Sequence, residues 1–264
     1  MKIEINGHRL NYREQGPPDG LPVVFIHGFP FNHRTWDPQL KALPDNCRGV
    51  AYDVRGHGES DVGDGQYSVE FFVDDLLGLM DHLAIEQAVV CGLSMGGYIA
   101  LRALERHPNR FQGLVLCDTR STPDTDQVRV ERARTVAAVK ANGVQPFAEG
   151  FVKAVFAPAS FAAIPAVVQQ VRDMITATDP LAIGGTLLAL AARTDTTPAL
   201  SRITLPALIM VGQYDALTPP ADAEALLSRL PKAELHIIPG AGHLSNLENP
   251  TVFNEWLLSF LERF

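Results

Sequence analysis

Ala88-Val89-Val90-Cys91-Gly92-Leu93-Ser94-Met95-Gly96-Gly97-Tyr98-Ile99-Ala100 is the stretch on which the reading of this chain turns. It opens as a short apolar run, breaks at Gly92, and resumes as helix-forming sequence from Tyr98 to about His107. The pattern predicts a strand, a very tight turn and a helix. Within the turn, Gly92-Leu93-Ser94-Met95-Gly96 spells G-x-S-x-G, and Gly97 adds a further glycine. A serine forced into so sharp a bend brings neighbouring backbone too close for side chains, a crowding that glycines relieve. Ser94 then stands at a helix N-terminus, where free N–H groups and the helix dipole favour developing negative charge. A phosphate cradle is the competing reading, but no lysine follows the glycines as a P-loop demands. The spacing of Gly92, Gly96 and Gly97 also fails the dinucleotide pattern G-x-G-x-x-G. The strand–turn–helix context favours a nucleophile elbow.

The rest of the chain supplies a setting for such a turn. With 264 residues, 46% of them hydrophobic, it can bury a full core, and one large α/β domain with an insertion fits better than two independent domains. A net charge of −8 and no block of lysine or arginine argue against a nucleic-acid partner. Met1 to Gly7 lacks the apolar core of a signal peptide, and no apolar run is long enough to span a bilayer. Cys47, Cys91 and Cys117 each lie in or beside an apolar run with no metal-type spacing, so they read as buried thiols of a reducing compartment. The expectation is a cytoplasmic protein with no membrane and no nucleic-acid partner, its oligomeric state open.

Taken in order, Met1 to Glu14 predicts an edge hairpin ending at the turn cluster Gly16 to Gly20. Leu21 to Ile26 is a continuous apolar run, the pattern of a strand covered on both faces, and it delivers His27-Gly28-Phe29-Pro30 at its carboxyl end. A short helix over Thr35 to Leu43 and a strand over Cys47 to Asp53 follow. From Ser68, a plausible N-cap, Val69, Phe72, Val73, Leu76, Leu77, Met80 and Leu83 repeat at helical period. After the strand Phe111 to Cys117 the alternation stops. Thr122 to about Pro198 holds four helix-like segments, near Thr125–Ala141, Val144–Phe156, Ile164–Ala177 and Leu181–Ala192. Alternation resumes with a strand at Ala207–Val211, a helix near Pro220–Leu230, a strand at Glu234–Ile238 and a closing helix from Asn246 to Phe264. The prediction is a mostly parallel sheet flanked by helices, with a helical cap inserted after the strand ending at Cys117. Core would occupy residues 1–121 and 199–264, and cap 122–198.

Serine is a weak nucleophile until a base takes its proton, and the base needs an orienting acid. Gly212-Gln213-Tyr214-Asp215 follows one late strand, and Gly240-Ala241-Gly242-His243 follows the last. Ser94, Asp215 and His243 then stand in the order nucleophile, acid, histidine. Asp118, at another strand end, is the competing acid. A tetrahedral intermediate needs two N–H donors, expected from Met95, after the nucleophile, and from Phe29, in the loop after the first long strand. His27 and His57 read as structural. His33 is a candidate pocket residue, with a solvated loop histidine as the alternative. In the cap, Phe147, Phe151, Phe156, Phe161 and Met174 fit either an acyl pocket or helix packing, with packing preferred for most. Arg120 is a candidate partner for a substrate carboxylate, or else a solvated loop arginine. No His, Cys or Asp spacing suggests a metal.

His27-Gly28-Phe29-Pro30, Asp53-x-Arg55-Gly56-His57-Gly58-x-Ser60, Gly92-Leu93-Ser94-Met95-Gly96-Gly97, Gly212-x-x-Asp215 and Gly240-Ala241-Gly242-His243 together resemble the α/β-hydrolase superfamily along essentially the whole chain. Within it the chain looks most like bacterial 3-oxoadipate enol-lactonases, small carboxylesterases and cofactor-free haloperoxidases or perhydrolases. Haloalkane dehalogenases and epoxide hydrolases carry aspartate as nucleophile, and Ser94 departs from both. The resemblance implies ester or lactone hydrolysis through an acyl-enzyme with no cofactor. Pro30 after the second oxyanion residue also resembles perhydrolases, and C–C bond cleavage on the same triad is a further alternative. A non-catalytic binding protein on this fold fits least, because such uses often lose a triad member.

Overall fold

The computed structural model describes residues 1–264. Eight strands form one sheet: β1 (Lys2–Ile5), β2 (His8–Gln15), β3 (Leu21–Ile26), β4 (Cys47–Tyr52), β5 (Ala88–Leu93), β6 (Phe111–Cys117), β7 (Ala207–Gly212) and β8 (Ala233–Ile238). Their order is β1-β2-β4-β3-β5-β6-β7-β8. β1 and β2 make an antiparallel edge hairpin, and β2 meets β4 antiparallel. Every pairing from β4 to β8 is parallel.

The helices before the cap are α1 (Asp37–Ala42), α2 (Val69–His82) and α3 (Met95–Arg106). Five helices lie between β6 and β7: α4 (Asp126–Asn142), α5 (Val144–Val155), α6 (Ser160–Ala163), α7 (Pro165–Ala177) and α8 (Pro180–Ala191). After β7 come α9 (Pro220–Leu227), α10 (Ser245–Glu248) and α11 (Pro250–Leu261).

Alternation along the strands explains why there are two cores. Successive side chains point to opposite faces, so a strand covered on both sides must be apolar at every position. Val24, Ile26, Val90, Leu114 and Leu116 pack on one face with α2 and α3. Val23, Phe25, Val89, Cys91 and Val115 pack on the other with Trp36 and Phe253. Ser68 caps α2, its hydroxyl accepting from the Phe71 N–H at 3.1 Å, and Phe72 and Leu76 on its inner face are wholly buried. Each such side chain contributes about 1.5–3 kcal/mol relative to exposure. The three cysteines are free and buried. No single helix is long and apolar enough to cross a membrane.

Three expected boundaries move. The helix after the elbow begins at Met95, not Tyr98, so both glycines of its first turn lie inside it. The segment expected as one helix over Thr35–Leu43 is a 3-10 turn over His33–Trp36, capped by the Asn32 side chain, followed by α1. The closing helix expected from Asn246 to Phe264 is two helices, broken at Asn249 (φ −138°, ψ 67°). Pro250 disfavours helical backbone at the residue before it and removes a donor, and the Asn249 side chain caps the new start by accepting from Val252 N–H.

Candidate active site

Ser94 joins β5 to α3 with φ +51° and ψ −111°, a backbone conformation that costs a non-glycine residue about 1–3 kcal/mol. The surroundings hold it there. Its N–H donates to Cys117 C=O at 2.9 Å, and its C=O accepts from Gly97 N–H at 2.9 Å and Thr119 Oγ1 at 2.8 Å. A side chain at Gly96 would run into the Ile26 carbonyl of β3, and one at Gly92 into the Gly96 carbonyl. The glycines thus let α3 start directly on top of the sheet, and Ser94 is half-buried at its tip.

Ser94 Oγ lies 2.8 Å from His243 Nε2, and His243 Nδ1 lies 2.8 Å from Asp215 Oδ2. The remaining acceptor sites of Asp215 are filled. Oδ1 accepts from Leu217 N–H at 2.8 Å and Thr218 N–H at 3.0 Å, and Oδ2 from the Thr218 hydroxyl at 2.7 Å. Burial pushes this carboxyl toward the neutral form. The His243 charge and hydrogen bond, with the bonds from Thr218, outweigh that and hold its pKa below the ordinary carboxylate value. Thr218, outside the three motif residues, completes the acid's setting. Its sequence signal is local, because an Asp side chain accepting from N–H groups two and three residues on is the pattern of an Asx turn.

Asp118, the competing acid, does not bond His243. It sits at the end of β6 with φ +48°, fully buried, accepting from Gly212 N–H at 2.8 Å and lying 2.5 Å from Ser245 Oγ. Burial drives its pKa well up, and the negative Asp215 nearby pushes the same way. It ties the strand leading to Asp215 to the helix following His243.

The two expected oxyanion donors, Phe29 and Met95, both line the cavity at Ser94. Met95 is the first residue of α3, whose N–H has no partner inside a helix. The Phe29 N–H donates to no backbone carbonyl. His27 braces this loop: its Nδ1 lies 2.8 Å from Gly28 C=O, and its Nε2 accepts from Val54 N–H at 2.9 Å. Only the neutral ring satisfies both bonds, and burial lowers its pKa to about 3. His57 is likewise buried and its pKa lowered to about 4 by burial, so both are structural as expected. His33 departs from expectation. It is absent from the cavity lining because Asp53 captures it: Asp53 Oδ1 accepts the His33 N–H and lies 2.7 Å from its Nδ1. Burial raises the Asp53 pKa, and the His33 bond and charge overcome it, bringing it to about 2.

Above Ser94 lies a cavity of about 410 Å³, with the cap as its roof. Phe29, Ser94, Met95 and His243 form its floor, α4 brings Val128, Glu131, Arg132 and Thr135, and α8 brings Leu187 and Leu190. From α5, Phe147 and Phe151 enter it, their rings 6.1 Å and 6.0 Å from Phe29. Phe156 and Met174 pack in the core instead, and Phe161 is exposed. Arg120 lines the cavity. Its guanidinium is 3.5 Å from Asp222, and its Nε is buried with no hydrogen-bond partner. The lining from α4 and α8 had no local signal, since packing alone selects which side of a cap helix faces the sheet. No group of His, Cys, Asp and Glu is arranged to hold a metal ion.

Comparison with known proteins agrees with this fold. A sequence-family profile described as alpha/beta hydrolase fold matches residues 22–250. A 3-oxoadipate enol-lactonase from Acinetobacter baylyi is 29% identical over 255 residues, covering 97% of this chain and 94% of its own. Among solved structures, a thermophilic esterase from Thermogutta terrifontis superposes with a TM-score of 0.96 at 34% identity, over 100% of this chain and 98% of that one. An enol-lactonase from Burkholderia xenovorans gives a TM-score of 0.93 at 30% identity, over 99% and 100%.

Proposed function

Because the chain belongs to the α/β-hydrolase family, we propose that it cleaves small carboxylic esters or lactones through an acyl-enzyme on Ser94, with His243 as base and Asp215 as its orienting acid. Esterases and enol-lactonases are its relatives, and the chain is a carboxylic ester hydrolase of that kind. The observation that carries the finer reading is the relay itself. Two contacts of 2.8 Å link Ser94 to His243 and His243 to Asp215, under a cavity lined mainly by apolar side chains.

In this reading the Ser94 oxygen attacks the carbonyl carbon while its proton passes to His243 Nε2. Charge gathering on the carbonyl oxygen is met by the Phe29 and Met95 N–H groups, each such donor being worth about 10²–10³ in turnover. Collapse expels the alkoxide, which takes the proton from His243. Water, deprotonated by the same ring, then attacks the acyl carbon and releases Ser94. With a lactone the leaving oxygen stays tethered to the acyl group, so the product is one hydroxy acid, or its keto form from an enol-lactone. Within this class we favour a substrate that itself carries a carboxylate. The buried, unpartnered Nε of Arg120 on the cavity wall supports that choice, because a desolvated donor of this kind gains most from an anionic acceptor.

The test is turnover of a chain-length series of p-nitrophenyl esters beside neutral and carboxylate-bearing γ-lactones, with wild type, Ser94→Ala and Arg120→Met. Turnover should vanish in Ser94→Ala, and Arg120→Met should lose carboxylate-bearing lactones selectively. Equal loss on neutral and anionic substrates would remove Arg120 from recognition. Activity surviving in Ser94→Ala would refute the acyl-enzyme.

A further inference from the structure

Outside the relay, one carboxylate reaches both the cap and the histidine loop. Glu248, the last residue of α10, lies five positions beyond His243. Its Oε1 accepts the Gly242 N–H at 2.8 Å. Its Oε2 accepts the Ala157 N–H at 2.8 Å and the Ser160 hydroxyl at 2.5 Å. One oxygen thus holds the residue preceding the general base, and the other holds the cap segment just after α5.

The surrounding packing tightens this junction. His243 N–H donates to Val155 C=O, the last residue of α5, at 2.8 Å. There is no space for a side chain at Gly242, where a Cβ would stand 2.6 Å from Ala157 N and 2.9 Å from Phe156 C. The C-terminal end of α5 therefore lies flat on the histidine loop. The same helix carries Phe147 and Phe151 into the substrate cavity. At its other end α10 is anchored in the body: Asn246 donates to Thr35 C=O at 2.7 Å, and Ser245 meets Asp118.

We infer that Glu248 is a positioning residue, a clasp that joins the substrate-facing helix α5 to the loop of His243 so that substrate seat and base are held in one register. The inference rests on the reading of Ser94 and His243 as nucleophile and base. The chemistry of the contacts explains why a carboxylate is used. Every protein group that meets it donates, Leu244 N–H included, so both oxygens must accept. A glutamine would turn an amide donor toward either Gly242 or Ala157, and whichever arm met it would open.

The experiment compares wild type, Glu248→Gln and Ser160→Ala by the rate at which a fluorophosphonate labels Ser94 and by kcat and KM on p-nitrophenyl acetate, both per titrated site. Labelling also needs His243 to accept the serine proton, so it reports the base without depending on the natural substrate. Because a misplacement on the order of 1 Å can cost about 10²-fold, Glu248→Gln should lower the labelling rate and kcat at least tenfold. Ser160→Ala removes only a cap-side contact; it should raise KM while the labelling rate stays within about twofold. A residue that merely held the fold would change the fraction of titratable protein and leave the rate per site alone. A Glu248→Gln labelling rate per site within about twofold of wild type, or a Ser160→Ala KM unchanged from wild type, would overturn the clasp. Failure of the probe to label wild-type Ser94 would instead remove the nucleophile assignment, and the clasp with it.

Discussion

Asp215→Asn separates this catalytic assignment from its competitor, and the structure says how the variant must sit. Asp215 Oδ1 accepts two backbone N–H groups, from Leu217 and Thr218, that cannot turn away. Oδ2 faces His243 Nδ1 and the Thr218 hydroxyl, and a hydroxyl can rotate to accept. The amide oxygen of asparagine will therefore take the Oδ1 place and its NH₂ the Oδ2 place, pointing at His243. Nδ1 must then accept, which moves the ring proton to Nε2 and leaves no lone pair for the Ser94 hydroxyl 2.8 Å away. An imidazole locked in that tautomer cannot act as the base, and such a change lowers kcat by about 10⁴. The replacement is nearly isosteric, so the fold should survive. The assay is kcat on p-nitrophenyl acetate with active-site titration, beside the melting temperature and the same measurements on Asp118→Asn. Retention of activity within about tenfold in Asp215→Asn, or a larger loss in Asp118→Asn, would exclude Asp215 as the orienting acid and return Asp118 to that role.

Two further outcomes follow from groups outside the relay. His57 has an ordinary pKa of 6.5 unfolded and about 4 in the fold, so the native state binds fewer protons between those values and its contribution to stability is lost as pH falls from 6.5 toward 4. Urea unfolding should show the stability gap between wild type and His57→Asn shrinking by about 1 kcal/mol from pH 6 to pH 5, acidic groups common to both cancelling; a gap constant from pH 7 to pH 5 would contradict a neutral buried ring. Arg55 and Asp75 form a buried two-point ion pair, with both contacts at 2.6 Å, on α2 and the loop before it. Asp75→Ala leaves a buried guanidinium uncompensated and should cost about 3–5 kcal/mol by denaturant unfolding, and a loss under about 1 kcal/mol would mean the arginine finds water instead.

Much of the site was legible in the chain because its parts are local. The elbow is a strand, a G-x-S-x-G turn and a helix within one short stretch, and steric crowding at Gly92 and Gly96 is already implied by a serine at positive φ. Asp215 and His243 each lie in a loop directly after an apolar strand, and a parallel sheet puts all such loops at one end. Sequence by itself therefore specified the α/β architecture and narrowed the proposed relay to Ser94, His243 and two candidate acids, Asp118 and Asp215. Other features depended on contacts between segments far apart in sequence. Asp53 lies 20 residues from His33, yet it draws that side chain away from the cavity. Whether Asp118 or Asp215 meets the base depends on which strand end faces His243 across the sheet, and no local pattern encodes that. Phe147 and Phe151 face the cavity while Phe156, just past the end of α5, packs in the core, because α5 lies against the histidine loop. Local propensity and periodicity specify what each segment is, and tertiary packing specifies which side chains it brings together, because those contacts form only when segments distant in the chain share one surface.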